Sequence, residues 1–199
     1  MMPRVLRAAD RTAVPWKNGG GVTREIAASP EGAPLDDFDW RVSLADVTAD
    51  GPFSSFPGVD RTLTVVEGAG MDLMVGGEHH IVDEQYWPHD FPGDLETDGR
   101  LLGGPVVNLN VMYRRDRTAA EVAVVRGTLR LQAPEGGTVL AVALEDGAEV
   151  EGQDIELDRY DAVLIKGGTA PVVLRTQGYA LLVTLSPAGR GCYPAPGIR

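Results

Sequence analysis

The residues of this chain best suited to chemistry are those suited to holding an anion. Arg61 directly follows the turn Pro57-Gly58-Val59-Asp60 and opens the run RTLTVVE. On a strand it shares a face with Leu63 and Val65, so a planar, permanently charged fork matched to a carboxylate starts at the mouth of an apolar wall. The other reading of Arg61 is an ion pair with Asp60 or Asp46 that pins the loop. Lys17 and Asn18 sit in PWKNGGG, where successive glycines permit positive φ or a close backbone approach, with N–H groups offered to an anion. The alternative there is a tight turn with Trp16 packed beneath it and Asn18 capping it. Arg41 and Ser43 alternate with apolar residues in WRVSLADV. They supply either a second cation and a hydroxyl or the solvated face of an edge strand. In VVNLNVMYR, Asn108, Asn110 and Met112 share a face while Leu109 and Val111 form the apolar one. If the odd side packs on another sheet, the asparagines line an interior, where a buried amide needs a partner that a ligand or ordered water supplies, and Met112 is a compliant wall beside them.

Other chemistries find less support. PWKNGGG is not a phosphate loop, because the following Gly-Lys-hydroxyl element and helix are missing. Ser54-Ser55 lies in a loop with no His and Asp relay in view, and Cys192 has no histidine within reach in sequence. His79 and His80 are adjacent, so on a strand they point to opposite faces. A ligand set of Glu78, His80 and His89 can be drawn, but surface or structural histidines are the reading favoured, with no metal and no cofactor. Carboxylates are too plentiful in an acidic chain to single out an acid–base pair.

The elements that must position these groups are strands. WRVSLADV (Trp40 to Val47) alternates cleanly, RTLTVVE is β-branched, and MDLMV, Gly76-Gly77 and His79 to Val82 read as a hairpin. Val106 to Arg114 closes the first half. The second half repeats the rhythm: Val122 to Gln132, Thr138 to Leu144, Tyr160 to Lys166, Pro171 to Thr176 and Tyr179 to Leu185. TLTVVEGAGMDLMVGGEHHIV from Thr62 lies beside VLAVALEDGAEVEGQDIEL from Val139 as a weak internal repeat. With 25 Gly and 14 Pro used as punctuation, no window keeps a helical apolar period for more than a turn or two. An all-β protein follows, its sheet edges closed in two stacked barrels.

Composition sets outer limits. Apolar residues at 43% and charged residues at 24% describe a globular chain. A formal charge of -11 repels phosphate backbones and anionic lipid, so neither nucleic acid nor membrane is expected as a partner. No apolar stretch approaches the roughly 20 residues that span a bilayer. The lone cysteine makes no internal disulfide and no secretory signal is visible, so a cytoplasmic location is expected.

PWKNGGGVTREIA, FDWRVSLADV, DGPFSSFPGVDRTL, FPGD (Phe91 to Asp94) and GPVVNLNVMYRR (Gly104 to Arg115) together resemble the HutD/Ves family. The likeness is strong over about the first 115 residues and one of pattern beyond Glu121. It implies a bicupin: two stacked RmlC-like jelly-roll barrels, one over residues 1–115 with the ligand pocket and one over 116–199, tightly packed and able to exchange strands. Metal-binding cupins carry a His-x-His pair on one strand face, which is absent here. The resemblance further implies a place among histidine-utilisation genes or stress-induced proteins, with no established catalytic activity. For the HutD branch it implies a regulator sensing a small carboxylate intermediate such as N-formylglutamate or urocanate, or a formate-like ligand. It places a pocket arginine at Arg61 and brings Lys17 and Asn18 to the pocket border. The expectation is a metal-free carboxylate-binding protein, with a homodimer suggested by edge strands and cupin habit. The rival is a cupin enzyme, an isomerase, hydrolase or metal-dependent catalyst acting on a small catabolic intermediate.

Overall fold

The computed structural model describes residues 2–189; Cys192 lies outside them. Two antiparallel sheets face each other in the first half. The six-stranded sheet runs Ala13–Pro15, Gly21–Ser29, Trp40–Val47, Val106–Arg114, Val59–Glu67, His89–Pro92, and the four-stranded sheet runs Gly51–Phe53, Thr97–Leu101, Met71–Val75, Glu78–Val82. Strand Val106–Arg114 is central, and its register sets rows across the sheet. Arg41, Met112 and Arg61 form one row, Ser43, Asn110 and Leu63 the next, Ala45, Asn108 and Val65 the third.

The period of two in these strands decides which core each residue joins. Leu63, Val65, Val47 and Val106 turn toward the four-stranded sheet and pack with Met71, Leu73 and Val75. The alternate set, Trp40, Val42, Leu44, Leu109 and Val111, packs against Leu140, Val142, Leu181, Val183 and Leu185 of the second half. This one continuous core joins the two halves, and each such leucine or valine contributes about 1.5–3 kcal/mol by leaving water.

The second half is a seven-stranded sheet in the order Arg4–Leu6, Ala162–Lys166, Thr138–Ala143, Val172–Pro187, Ala148–Val150, Ile155–Leu157, with Thr118–Leu131 also pairing Val172–Pro187. The first strand of the chain therefore completes the sheet built by the last part of it. The sequence reading splits Pro171–Thr176 from Tyr179–Leu185, whereas the structure runs one strand through both. Gln177 and Gly178 are absorbed by a register shift opposite Arg126 and Gly127, where Gly127 takes φ +96°. Strands Arg4–Leu6 and Gly21–Ser29 escape the sequence reading, because neither shows a clean alternation.

The internal repeat is visible in hydrogen bonds. Tyr86 and Tyr160 both hold φ 67°, unusual for a bulky residue. Tyr86 N donates to Val65 O and Tyr160 N to Ala143 O, while Gln85 Nε2 donates to Val66 O and Arg159 Nε to Leu144 O. The hydroxyls then cross between halves: Tyr160 donates to Glu67 at 2.5 Å and Tyr86 to Glu145 at 3.3 Å. Val65 is thereby equivalent to Ala143. This moves the repeat by one residue from the alignment read off the sequence.

Candidate functional site

Arg61 lies inside the first barrel and not at its mouth: it is only 5% exposed. The guanidinium is flanked by the rings of Phe53, Phe56 and Phe91 at 5.1, 5.9 and 5.0 Å from their centroids. Phe91 is opposite Arg61 in the neighbouring strand. Phe53 ends a short strand of the facing sheet, and Phe56 comes from the loop that follows. Gly93 closes the cage, since a Cβ there would meet Val59 O at 2.8 Å and Arg61 Cδ at 3.3 Å.

The ion pair that competes for Arg61 in the sequence reading does not form. Asp60 is held by Arg115 at 2.6 Å, Arg115 also binds Asp94, and Asp46 is paired with Arg24. The hydrogen bonds of Asp94, Arg115's first, hold its carboxyl below the usual range. Among the described residues Arg61 has no carboxylate partner. Its bonds are long: Nε to Asn110 Oδ1 at 3.4 Å and Nη1 to Ser54 O at 3.5 Å. Burial pushes its pKa down to about 10. A buried, unneutralised guanidinium in an apolar cage has the chemistry to pair with an anion.

Ser43, Asn108, Asn110, Met112 and Arg41 share the inward face with Arg61. Asn110 keeps partial exposure on a central strand, so solvent reaches that part of the interior. Asn108 is 1% exposed and its Nδ2 has no hydrogen-bond partner. Arg41 is not a free cation, because Glu25 binds it at 3.0 Å. Glu25 pairs with Ser43 just before a bulge around Ile26, which the sequence gives no sign of, and its side chain stays 36% exposed. Lys17 and Asn18 stand apart on an exposed turn. Asn18 Oδ1 caps it by accepting from Gly20 N at 3.0 Å, and Gly21 packs where a Cβ would meet Asp46 O at 2.5 Å. The turn touches the site through Trp16, edge-on to Phe53 at 6.3 Å.

His79 and His80 do point to opposite faces. His79 bonds Asp72 outside, whereas His80 turns inward to lie 5.0 Å from His89. Glu78 is exposed, and no group of three metal-ligating side chains is arranged to hold an ion among the described residues. His89 stacks on Phe91, its Nε2 is buried without a partner, and burial lowers its pKa. The aromatic cage and Glu25 are the parts of the site that sequence reasoning missed, whereas His80 and His89 come together in it only as part of a disfavoured metal set. The recurrence of Phe in DGPFSSFPG and FPGD is the one signal that pointed to the cage. A cleft of about 460 Å³ between the barrels, lined by Arg4, Glu31 and Lys166, reaches Glu25 but not Arg61, and its Arg4 is already paired with Glu31.

The HutD family model matches residues 8–182. The chain belongs to the HutD/Ves family. HutD from Pseudomonas fluorescens SBW25, solved under a formate condition, superposes with a TM-score of 0.83 at 36% identity, covering 94% of this chain and 100% of that one. An uncharacterized 21.2 kDa protein from the hutC 3' region of Pseudomonas putida is 36% identical over 185 residues, 92% of this chain and 96% of that protein. Protein Ves of Citrobacter koseri is 37% identical over 131 residues, 64% of this chain and 66% of its own length. The HutD/Ves fold is a bicupin, and an Escherichia coli pirin in complex with nickel(II) shares it at a TM-score of 0.68 with only 9% identity, a likeness of fold alone. No helix among the described residues is long and apolar enough to cross a membrane.

Proposed function

We propose that this HutD/Ves protein is a cytoplasmic regulator of histidine utilisation that captures a small carboxylate metabolite in its first barrel, without metal or cofactor, at Arg61. The observation that carries the reading is the buried guanidinium with no acidic partner among the described residues. A bound carboxylate would accept two parallel N–H bonds, restore neutrality, and leave the aromatic rings as walls. Asn110 steadies the fork and Ser43 adds a hydroxyl on the same face. The family's association with histidine utilisation, and the formate condition of the P. fluorescens structure, favour N-formylglutamate, urocanate or formate as candidates.

A melting-temperature screen with these three compounds tests the proposal. A ligand at a hundredfold excess over its Kd contributes about 2.7 kcal/mol, a shift of roughly 5–10 °C for a chain of this size. The shift is expected for at least one compound and is expected to vanish in Arg61→Met. No shift with any of them, or an equal shift in the variant, contradicts the proposal. Turnover of the stabilising compound, followed by NMR, would move the protein to the enzyme class.

A further inference from the structure

The inward wall of the first barrel holds one fixed unpaired charge. Arg41 is neutralised by Glu25 at 3.0 Å, Lys17 is on the exposed turn, and only Arg61 is left without a carboxylate among the described residues. One cation neutralises one anionic group. A ligand with two would carry an uncompensated charge into an apolar enclosure, which is strongly unfavourable. The same wall contains a group able to become the second cation. His89 is on the strand beside Arg61's, opposite Leu63, two residues from the Phe91 that Arg61 stacks on. By strand spacing this sets its backbone roughly 8 Å from that of Arg61, on the same face of the sheet. Its Nε2 is buried and bonded to nothing.

From these positions we infer that His89 is a proton-gated second anion receptor: a ligand with two anionic groups binds with uptake of one proton at His89, and a ligand with one binds without it. The inference rests on the reading of Arg61 as the first receptor. The titratable and charged groups around His89 are His80, from strand Glu78–Val82 at 5.0 Å, Asp90 on its own strand, and Arg61 beyond Phe91. Asp90 is engaged by Thr62 Oγ1 on the opposite face of the sheet. Burial first and His80 second disfavour a charged His89 in the empty site, while Asp90 opposes them weakly. An anion arriving beside Nε2 reverses the balance. Proton uptake by a group neutral when free and charged when bound strengthens binding as pH falls, by at most about tenfold per pH unit for one proton.

The test is calorimetric titration of glutarate and of its monoamide, near-isosteric ligands carrying two charges and one, into the full chain at neutral pH in buffers of differing ionisation enthalpy. Expected are uptake approaching one proton per glutarate, near zero for the monoamide, and near zero for both in His89→Gln, with His80→Gln retaining the uptake. His89→Phe, which keeps a ring on Phe91, serves if the glutamine variant does not fold. Glutarate binding with no proton uptake, or with uptake that survives loss of His89, overturns the inference while leaving Arg61 as a receptor. Binding of neither ligand overturns this inference, and binding that survives Arg61→Met overturns the Arg61 reading and this inference with it.

Discussion

Where the first barrel turns Arg61, Asn110 and Asn108 inward, the second turns Val139, Leu182 and Ala180. The equivalence follows from pairing: Leu63 faces Asn110 as Ala141 faces Leu182, and Arg61 faces Met112 as Val139 faces Thr184. The second interior further holds Ala141, Ala143, Ala148, Val163 and Ile165, an apolar core. Its strands also run on where those of the first are broken. Val172–Pro187 does in one strand what Thr97–Leu101 and Val106–Arg114 do in two, separated by Gly103-Gly104-Pro105. One frame thus serves two purposes. The second barrel is a buttress: the outer face of its sheet packs on the first sheet through the shared core, while its own interior is apolar.

Exchanging the contents of the barrels should break this division. Val139→Arg places an unpaired cation in a core with no cage, and a loss of about 3–5 kcal/mol in denaturant unfolding is expected. A loss under 1 kcal/mol would mean that the second barrel tolerates charge as well as the first. The converse change, Arg61→Met, should stabilise the empty protein by about 1–3 kcal/mol, since a flexible apolar chain keeps the contact with the phenyl rings and removes a desolvated charge. The sign follows from the lowered pKa of about 10. The folded protein releases this proton more readily than the unfolded chain, so the cost is present in full at neutral pH and shrinks as pH rises above about 10. Destabilisation by Arg61→Met would instead make the arginine a structural element.

The smallest expected effects lie in the clasp between the barrels. Tyr160→Phe should cost about 1–2 kcal/mol and Tyr86→Phe about 0.5–1 kcal/mol, because the first hydroxyl bonds its carboxylate at 2.5 Å and the second at 3.3 Å. The reverse order in thermal melts would deny that the short bond is the stronger tie.

Much of this was legible before any coordinates. The alternation in WRVSLADV and VVNLNVMYR fixes which residues face inward, and the structure keeps those faces, with Arg61, Asn108, Asn110 and Met112 together. What was not legible depends on partners distant in sequence. Whether Arg61 met Asp60 or a ligand turned on Arg115 and Arg24, which engage the two competing aspartates from elsewhere in the chain. That Arg61 sits under rings and not at a rim follows from Phe53, Phe56 and Phe91 converging from three segments. Glu25 reaches Arg41 from the neighbouring strand, where it pairs with Ser43, and a reading of one strand at a time has no means of seeing which strand lies beside it.

The chain is expected to have one ligand site, built on Arg61 in the first barrel, and none at the equivalent place in the second. Calorimetric titration of the carboxylate that most raises the melting temperature, into the native chain and into Arg61→Met, measures this directly. The account predicts one site per chain, lost in the variant. Two sites per chain, or one that survives the substitution, would contradict it.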